Sequence, residues 1–260
     1  MLKEIYWKIV PEKCRYLLSR CLMSKEQKHQ ELIDFEKRVN FYSGFVKKDD
    51  LCFDIGANFG NRIAPMLEIG AKVVAVEPQI FCVKRLRTLF GDKIIIENKG
   101  LGAKEETRNF YISNQSVLST FSTEQIEKTK NGRFKTSRWK KPIEMPITTM
   151  DSLIQKYGMP AFAKIDVEGF ELEVLKGLSV PVKMISFEYT VPEMSDVLLE
   201  CINHLNQLSN NFVYNYSVGE SMEFALGEWL TCETMVDYVQ QEAFKNTGFG
   251  DVYARIEGVK

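Results

Sequence analysis

The strongest constraint on this chain is a short apolar run that ends in an acid and two spaced glycines, LCFDIGANFG at residues 51–60. The pattern predicts a buried strand, a tight turn and the start of a helix, which together form the first unit of a doubly wound α/β sheet. Gly56 and Gly60 would let the backbone turn sharply and approach a ligand. The free N–H groups at the start of the helix favour an anionic group. The turn is therefore predicted to bind a cofactor.

The spacing within this turn discriminates between cofactors. Dinucleotide folds use G-x-G-x-x-G, whereas here Asp54 leads the turn and Ala57 occupies the place of the middle glycine. An acid in that place can face an ammonium, so the amino-acid end of S-adenosylmethionine fits better than a pyrophosphate. One strand later, KVVAVEP at residues 72–78 ends in an acid that could accept hydrogen bonds from both hydroxyls of a ribose. The candidate cofactor ligands at the two turns are Asp54, Gly56, Ala57, Asn58, Gly60, Glu77 and Pro78.

Length and composition narrow the protein class. The chain has 260 residues, 45% of them hydrophobic, which suffices for a full core and fits one α/β domain with an appendage. With a formal net charge of −1, the chain as a whole is not expected to be attracted to nucleic acid or to an anionic membrane, so any such attraction must come from a local patch. No apolar run approaches the roughly 20 residues of a membrane span, and the N-terminus lacks a signal-peptide core. The six cysteines include no C-x-x-C pair, so neither a zinc site nor a disulfide framework is expected. We expect a cytoplasmic protein.

Two regions stand outside the regular α/β alternation. Residues 1–46 have helical periodicity and are predicted to form an extension that caps the sheet edge or the site, while residues 47–260 form the main domain. An amphipathic extension of this kind could also contact a partner or a membrane surface. Between about residues 103 and 142 the regular pattern fails, which is typical of a functional or a disordered loop.

The basic part of this insertion, residues 128–141, carries seven cations and no acid. It could be a lid over a phosphate-bearing or otherwise acidic acceptor, with Arg133, Arg138 and Trp139 as its contacts, or it could be a solvated flexible loop. Nucleic acid is not expected as a partner. Ahead of the insertion, the loop after the third predicted strand lies where an adenine would bind, and its candidate contacts are Gly100 and Leu101.

Acids cluster at the ends of two later predicted strands. AFAKIDVEGFELEVLKG at residues 161–177 predicts a strand, an acidic turn and a helix, and MISFEYT at residues 184–190 predicts the next strand. Asp166, Glu168 and Glu188 should therefore meet at the carboxyl edge of the sheet, where one with a raised pKa could act as a general base. Asp166 or Glu168 is favoured for this role. Alternatively, Glu168 could cap the following helix, or the three acids could hold a metal, although none is expected.

These three stretches, in this order, resemble the FkbM-type S-adenosylmethionine-dependent methyltransferases, and TMDSL at residues 149–153 looks like the segment just before the third. The similarity covers about residues 51–190. It implies a class I methyltransferase fold, with a doubly wound, mostly parallel seven-stranded sheet whose last strand is antiparallel. It also implies O-methylation of a hydroxyl on a sugar, a polyketide or another natural product, while the acceptor itself is not inherited. By position, the first turn would hold the methionine end of the cofactor, Glu77 its ribose, and Asp166 would lie beside the transferring methyl group.

Two other classes stay open at this point. An NAD(P)-dependent sugar-modifying oxidoreductase would need a third glycine and usually a Tyr-x-x-x-Lys pair, whereas Tyr157 is followed by GMPA. A noncatalytic methyltransferase-like module would keep the fold and bind a partner. The favoured prediction is a methyltransferase for a small-molecule or glycan acceptor, phosphorylated or not, and a homo-oligomer is open. His29 and His204, the chain's two histidines, are expected to be structural or exposed, so the predicted catalysis uses no histidine.

Overall fold

The computed structural model describes residues 23–258, which form a central eight-stranded sheet, a separate three-stranded sheet and the helices that cover them. The strands are β1 (Leu51–Ile55), β2 (Lys72–Val76), β3 (Ile94–Glu97), β4 (Gly100–Leu101), β5 (Glu106–Phe110), β6 (Ile143–Thr148), β7 (Phe162–Ile165), β8 (Met184–Thr190), β9 (Phe212–Val218), β10 (Leu230–Thr231) and β11 (Phe249–Ile256). The helices are α1 (Lys25–Ser43), α2 (Ile63–Ile69), α3 (Ile80–Phe90), α4 (Thr123–Thr129), α5 (Met150–Tyr157), α6 (Glu171–Lys176), α7 (Ser195–Leu208), α8 (Cys232–Val239) and α9 (Glu242–Lys245).

The central sheet has the strand order β10-β9-β11-β8-β7-β1-β2-β3. The five strands from β3 to β8 pair in parallel, while β11 lies between β8 and β9 and runs antiparallel to both. This confirms the doubly wound, mostly parallel sheet with an antiparallel last strand. The short strand β10 adds an eighth, antiparallel strand at the edge that the sequence pattern did not predict.

Helices pack on both faces of the central sheet and bury its strands on both sides. Successive side chains of a strand point to opposite faces, so Phe53 packs in one apolar cluster and Cys52 in the other. The first cluster is completed by α5, α6, α7 and α8, and the second by α1, α2 and α3. With both faces covered, ligands can reach the sheet at the carboxyl ends of its parallel strands.

The described part of the N-terminal extension is the helix α1. It begins at a capping box, in which the Ser24 hydroxyl accepts from the Gln27 N–H and the Gln27 side chain accepts from the Ser24 N–H. Near its C-terminus, Tyr42 is fully buried against Phe162, so α1 closes one face of the sheet. The remainder of the predicted extension, residues 1–22, lies outside the described residues, and the boundary at residue 46 stays a prediction.

The insertion is more ordered than its sequence pattern suggests. Between residues 103 and 142 the chain forms β5 and α4, and β5 pairs with β6, which in turn pairs with β4. Two isolated bridges, Tyr111 with Thr120 and Ser113 with Trp139, tie the remaining backbone together. The expectation of an irregular segment is therefore wrong for these elements. Local pattern indicates only a short strand at residues 110–112 in this stretch, because the pairing of β5 with β6 joins segments that are distant in sequence.

Candidate active site

A cavity of about 500 Å³ opens at the carboxyl ends of the parallel strands. It is bounded by the turn after β1, the loops that follow β2, β3, β7 and β8, and the insertion. The predicted site residues that line it are Asp54, Gly56, Ala57, Asn58, Glu77, Pro78, Gly100, Leu101, Arg133, Asp166, Glu168 and Glu188. Of the other predicted site residues, Gly60, Arg138 and Trp139 lie outside its lining.

The turn after β1 adopts backbone conformations that require glycine. Gly56 has φ +85°, and a Cβ at this position would lie 1.8 Å from the carbonyl oxygen of Asp166. Gly60 has φ +81°, and its Cβ would meet the ring of Phe90 at 2.5 Å, so this glycine permits close packing against α3. The N–H groups of Gly56 and Ala57 both donate to the carbonyl of Val76, which fixes the turn to the end of β2.

Asp54 is buried beneath this turn with an incomplete set of partners. Its side chain is 2% exposed, and Oδ2 has no hydrogen-bond partner among the described residues. Burial raises the pKa of Asp54 to about 6, although the nearby charge of Lys164 favours the ionised form. Leaving a buried acceptor unpaired costs about 1–3 kcal/mol, so an ammonium group at the cavity would complete the site. The amino-acid end of S-adenosylmethionine carries such a group.

Glu77 joins the first turn to the second. It is 2% exposed, its Oε2 accepts from the N–H of Asn58 at 2.7 Å, and its Oε1 accepts from the N–H of Gln79 at 2.7 Å. Burial raises the pKa of this carboxyl to about 7, and the two backbone donors oppose the shift. A carboxylate oxygen can accept more than one hydrogen bond, so ribose hydroxyls could still bind there.

Three acids meet at the ends of β7 and β8, next to the turn after β1. Oxygen atoms of Asp166, Glu168 and Glu188 lie within 4.8 Å of one another. Burial raises the pKa of Glu168 and that of Glu188 well above the usual range, and the charge of Asp166 adds to both shifts. Burial also opposes the ionisation of Asp166, but the ammonium of Lys164 at 2.8 Å outweighs it and lowers the pKa. The cluster therefore combines an ionised carboxylate with neighbours that favour the protonated form.

The same three acids are the one group in the described chain whose spacing could hold a metal ion. Oxygen ligands of this kind suit a hard divalent cation. Proton sharing among crowded carboxyl groups explains the same arrangement without a cation.

Sequence reasoning missed a buried cation that contacts one acid of this cluster. Lys164 is 1% exposed, and its Nζ lies 2.8 Å from Oδ2 of Asp166 and 3.2 Å from Oδ1 of Asp251. Burial disfavours the charged lysine, but the two aspartates outweigh burial and raise its pKa. A signal was present, since a lysine inside the apolar strand FAKI must find acidic partners. Its second partner, Asp251, comes from the last strand and could not be identified from spacing.

A second missed pair connects the cavity wall to α1. Arg62 is 7% exposed, and its guanidinium binds Glu220 through two contacts of 2.6 and 2.7 Å. Arg38 of α1 approaches the other side of Glu220 at 3.7 Å. Since Arg62 and Glu220 both line the cavity, this ion pair holds the loop after β9 against the site.

The basic segment folds onto the domain and turns only part of its charge toward the cavity. Arg133 lines the cavity, donating to the carbonyl of Val191 at 2.7 Å and pairing with Glu193 at 3.0 Å. Trp139 does not line the cavity, but its indole N–H donates to the carbonyl of Leu118, which does. Arg138 is exposed. Whether the segment acts as a lid stays a prediction.

Neither histidine belongs to the site. His29 is exposed on α1, and Nε2 of His204 lies 3.1 Å from the carbonyl oxygen of Leu175.

Cys52, Cys82 and Cys201 are buried free thiols. Cys14 and Cys21 lie outside the described residues. Between residues 23 and 258, no helix is long and apolar enough to cross a membrane.

Comparison with known proteins identifies the family to which this chain belongs. The family model described as Methyltransferase FkbM domain matches residues 54–216, which is more than half of the chain. No curated protein sequence matches.

Among solved structures, the chain is 10% identical to the precorrin-6y C5,15-methyltransferase of Geobacter metallireducens, covering 85% of this chain and 86% of that one at a TM-score of 0.44. A TehB-like SAM-dependent methyltransferase of Corynebacterium glutamicum is 7% identical, with 85% and 88% covered and a TM-score of 0.43. An rRNA methylase of Streptococcus thermophilus is 13% identical, with 84% and 93% covered and a TM-score of 0.42. At TM-scores below 0.5, these likenesses say nothing about substrate.

Proposed function

Because this chain belongs to the FkbM methyltransferase family and is an S-adenosylmethionine-dependent methyltransferase, we propose that it methylates a hydroxyl oxygen of a sugar, a glycan or another natural product. Membership of this family sets aside the oxidoreductase and the noncatalytic module that the sequence left open. The observation that carries the proposal is the acid cluster of Asp166, Glu168 and Glu188, which shares one cavity with the glycine turn and Glu77.

In the proposed binding mode the two turns hold the cofactor. Asp54 accepts hydrogen bonds from the methionine ammonium, since its Oδ2 has no other partner in the described structure. Glu77 binds the ribose, and Gly100 and Leu101 contact the adenine from β4. The bound cofactor supplies a methyl group on a sulfonium, with its leaving group already in place.

The protein must then align the acceptor hydroxyl and remove its proton. The acid that suits this step differs from the expected base with a raised pKa, because the two acids with raised pKa values favour the protonated form. Asp166 is the acid that Lys164 keeps ionised, so it can accept this proton directly despite its lowered pKa. Glu168 and Glu188 favour the protonated form and can therefore donate hydrogen bonds to oxygens of the acceptor. We assign Asp166 as the general base and the two glutamates as groups that orient the acceptor.

The walls of the cavity favour an acceptor with both polar and apolar faces. Besides the acids, the lining includes the rings of Phe59, Phe134 and Phe249. Carboxyl groups bind several hydroxyls of a sugar, and aromatic rings pack against the apolar face of its ring. A sugar hydroxyl therefore suits this site better than a fully apolar alcohol.

The test pairs two near-isosteric substitutions with a panel of hydroxylated acceptors, including phosphorylated sugars. Release of S-adenosylhomocysteine and the mass of the methylated product are measured. Asp166→Asn removes the base and should lower kcat by about 10²–10⁴-fold. Glu188→Gln retains a neutral hydrogen-bond donor and should keep most of the activity. A comparable loss in both variants would refute the assignment of Asp166, and a product methylated on nitrogen or carbon would refute hydroxyl methylation.

A further inference from the structure

Three large apolar side chains project into solvent beside the cavity. Ile80, Phe81 and Val117 are 53%, 48% and 53% exposed, respectively. We call these three residues the apolar tip. Ile80 and Phe81 begin α3, and Val117 lies in the short turn formed by residues 116–118.

Two hydrogen bonds join these segments into one surface. The side-chain amide of Gln79, just before α3, donates to the carbonyl of Ser116 at 3.0 Å. The hydroxyl of Ser119 donates to the side-chain oxygen of Gln79 at 3.1 Å. The turn of residues 116–118 is therefore fixed against the start of α3, so the three exposed side chains belong to one rigid patch.

The apolar tip borders the opening of the active-site cavity. Val117 lines the cavity itself, and the ring of Phe81 packs edge-on against Phe59, another lining residue, with 5.8 Å between ring centroids. Phe249, which also lines the cavity, is 44% exposed. Exposed apolar groups of this size at one opening are typical of an interaction surface.

Exposed cations lie on α3 and on the basic segment, residues 128–141. On α3, Lys84 and Arg87 are exposed, and the helix contains no acid. In the basic segment, the backbone of Arg138 pairs with Asn114, and the N–H of Lys140 donates to the carbonyl of Ile112, which places this segment beside the residues that lead to the tip.

The charges of this segment divide into two groups. Lys128, Lys130 and Arg133 each pair with acids of the domain. The other cations of this segment, Lys135, Arg138, Lys140 and Lys141, are exposed and have no ion-pair partner among residues 23–258. The surface around the tip is therefore positive although the whole chain has a formal net charge of −1.

We call the apolar tip together with the exposed cations beside it the rim of the cavity. We propose that this rim binds the surface of an anionic lipid bilayer. The apolar tip enters the headgroup region, and the flanking cations pair with lipid phosphates. Two of the three tip residues, Ile80 and Val117, are aliphatic, which favours lipid over nucleic acid, where cations combine with aromatic stacking. Binding in this orientation places the mouth of the cavity at the membrane surface. The inference concerns binding alone and is independent of which atom the enzyme methylates.

The test measures co-sedimentation of the full-length protein with vesicles of phosphatidylcholine alone and with vesicles containing an equal part of phosphatidylglycerol. We expect binding to the anionic vesicles that weakens as NaCl is raised. The double variant Ile80→Ser with Phe81→Ser should lower the partition coefficient roughly tenfold or more. Lys140→Gln with Lys141→Gln should lower it about fivefold for each charge removed.

Matched control variants come from the opposite edge of the sheet. Met159 and Val180 are 48% and 40% exposed there, and Lys72 and Lys183 are exposed as well. The doubles Met159→Ser with Val180→Ser and Lys72→Gln with Lys183→Gln should bind vesicles as the wild type does, and melting temperatures verify that all variants are folded.

Three results would overturn the proposal. The first is no binding to anionic vesicles, and the second is equal loss in rim and control variants. The third is that the protein binds single-stranded RNA but not vesicles, and that the rim variants weaken the binding of RNA. That third result would reassign the surface to nucleic acid.

Discussion

At the scale of single residues, one buried lysine determines the charge state of the site. Lys164 lies between Asp166 and Asp251, and all three side chains would be costly to bury alone. Because Lys164 is charged, Asp166 stays ionised, while the neighbouring glutamates, without such a partner, favour the protonated form. The role of each acid in the cluster therefore depends on which one the lysine contacts.

Removing this cation should be strongly destabilising. Lys164→Met leaves two carboxylates without their cation, and the expected loss in free energy of unfolding is about 3–5 kcal/mol, measured by urea denaturation. The loss should be larger at pH 8 than at pH 5, because without Lys164 the pKa of the buried Asp166 is no longer held down, and protonation then relieves its unpaired charge. The control Lys176→Met breaks an exposed pair with Glu173 and should cost about 0–1 kcal/mol. Equal losses in both variants would show that the buried pair contributes no more to the free energy of unfolding than the exposed pair does.

Asp54 provides a test of cofactor binding at one atom. Asp54→Asn keeps the size of the side chain but removes the charge that would face the methionine ammonium. A charge-assisted hydrogen bond contributes about 1.5–3 kcal/mol, so the affinity for S-adenosylmethionine, measured by calorimetric titration, should fall roughly 10- to 100-fold. The exposed Asp92→Asn variant should bind as the wild type does. Unchanged affinity in Asp54→Asn would place the ammonium elsewhere.

At the scale of elements, the turn after β1 is shaped by its contact with the end of β7. Gly56 packs directly on the carbonyl of Asp166, so the cofactor turn and the acid cluster approach each other through backbone rather than through side chains. Glu171, at the start of α6, supports the other side of this junction, because its Oε1 accepts from the N–H groups of Val167 and Gly169 at 3.1 Å.

The turn should not tolerate even one added methyl group. Gly56→Ala would place Cβ 1.8 Å from a carbonyl oxygen at φ +85°, so the strands must separate and we expect loss of cofactor binding together with a large drop in melting temperature. Gly132→Ala is the matched control, since its Cβ would meet nothing within 4 Å. The control should be neutral or slightly stabilising. A Gly56→Ala variant that melts and binds normally would contradict this geometry.

At the scale of the whole molecule, the fold buries several acids whose pKa values it raises. Burial raises the pKa of Asp54 to about 6 and that of both Glu77 and Glu171 to about 7. For such groups the folded chain binds protons more tightly than the unfolded chain. Their contribution to stability is therefore fully present below the unfolded pKa and is lost as the pH rises through the folded value.

Glu171→Gln isolates one of these contributions, because the amide oxygen can still accept the same two backbone hydrogen bonds. For Glu171 the window runs from the usual 4.5 to about 7, and the stability lost across it is on the order of 2–4 kcal/mol. We expect Glu171→Gln to be more stable than the wild type at pH 8 and to lose less stability between pH 4.5 and 8. Melting curves across this range measure the effect, with Glu173→Gln as control. A wild-type pH profile in Glu171→Gln would refute it.

Much of the candidate site follows from local rules. The glycine turn, the acid after β2 and the acids after β7 were placed at one edge because parallel strands end together. Local rules failed where side chains from distant parts of the chain meet. Lys164 contacts Asp251 across 87 residues, and Arg62 contacts Glu220 across 158. Neither Asp251 nor Glu220 lies in a sequence motif that would indicate its partner, so neither contact could be predicted from the sequence.

The sequence by itself determined the α/β alternation, the family and the edge of the sheet at which we propose that the cofactor binds. These depend on strand periodicity, on glycines at positive φ and on where strands end, which are properties of neighbouring residues. Only the tertiary structure decided that the insertion contributes β5 to a second sheet and that Asp166, rather than Glu168 or Glu188, is the ionised acid. Ionisation depends on burial and on charges brought from elsewhere in the chain, and these exist only once the chain has folded.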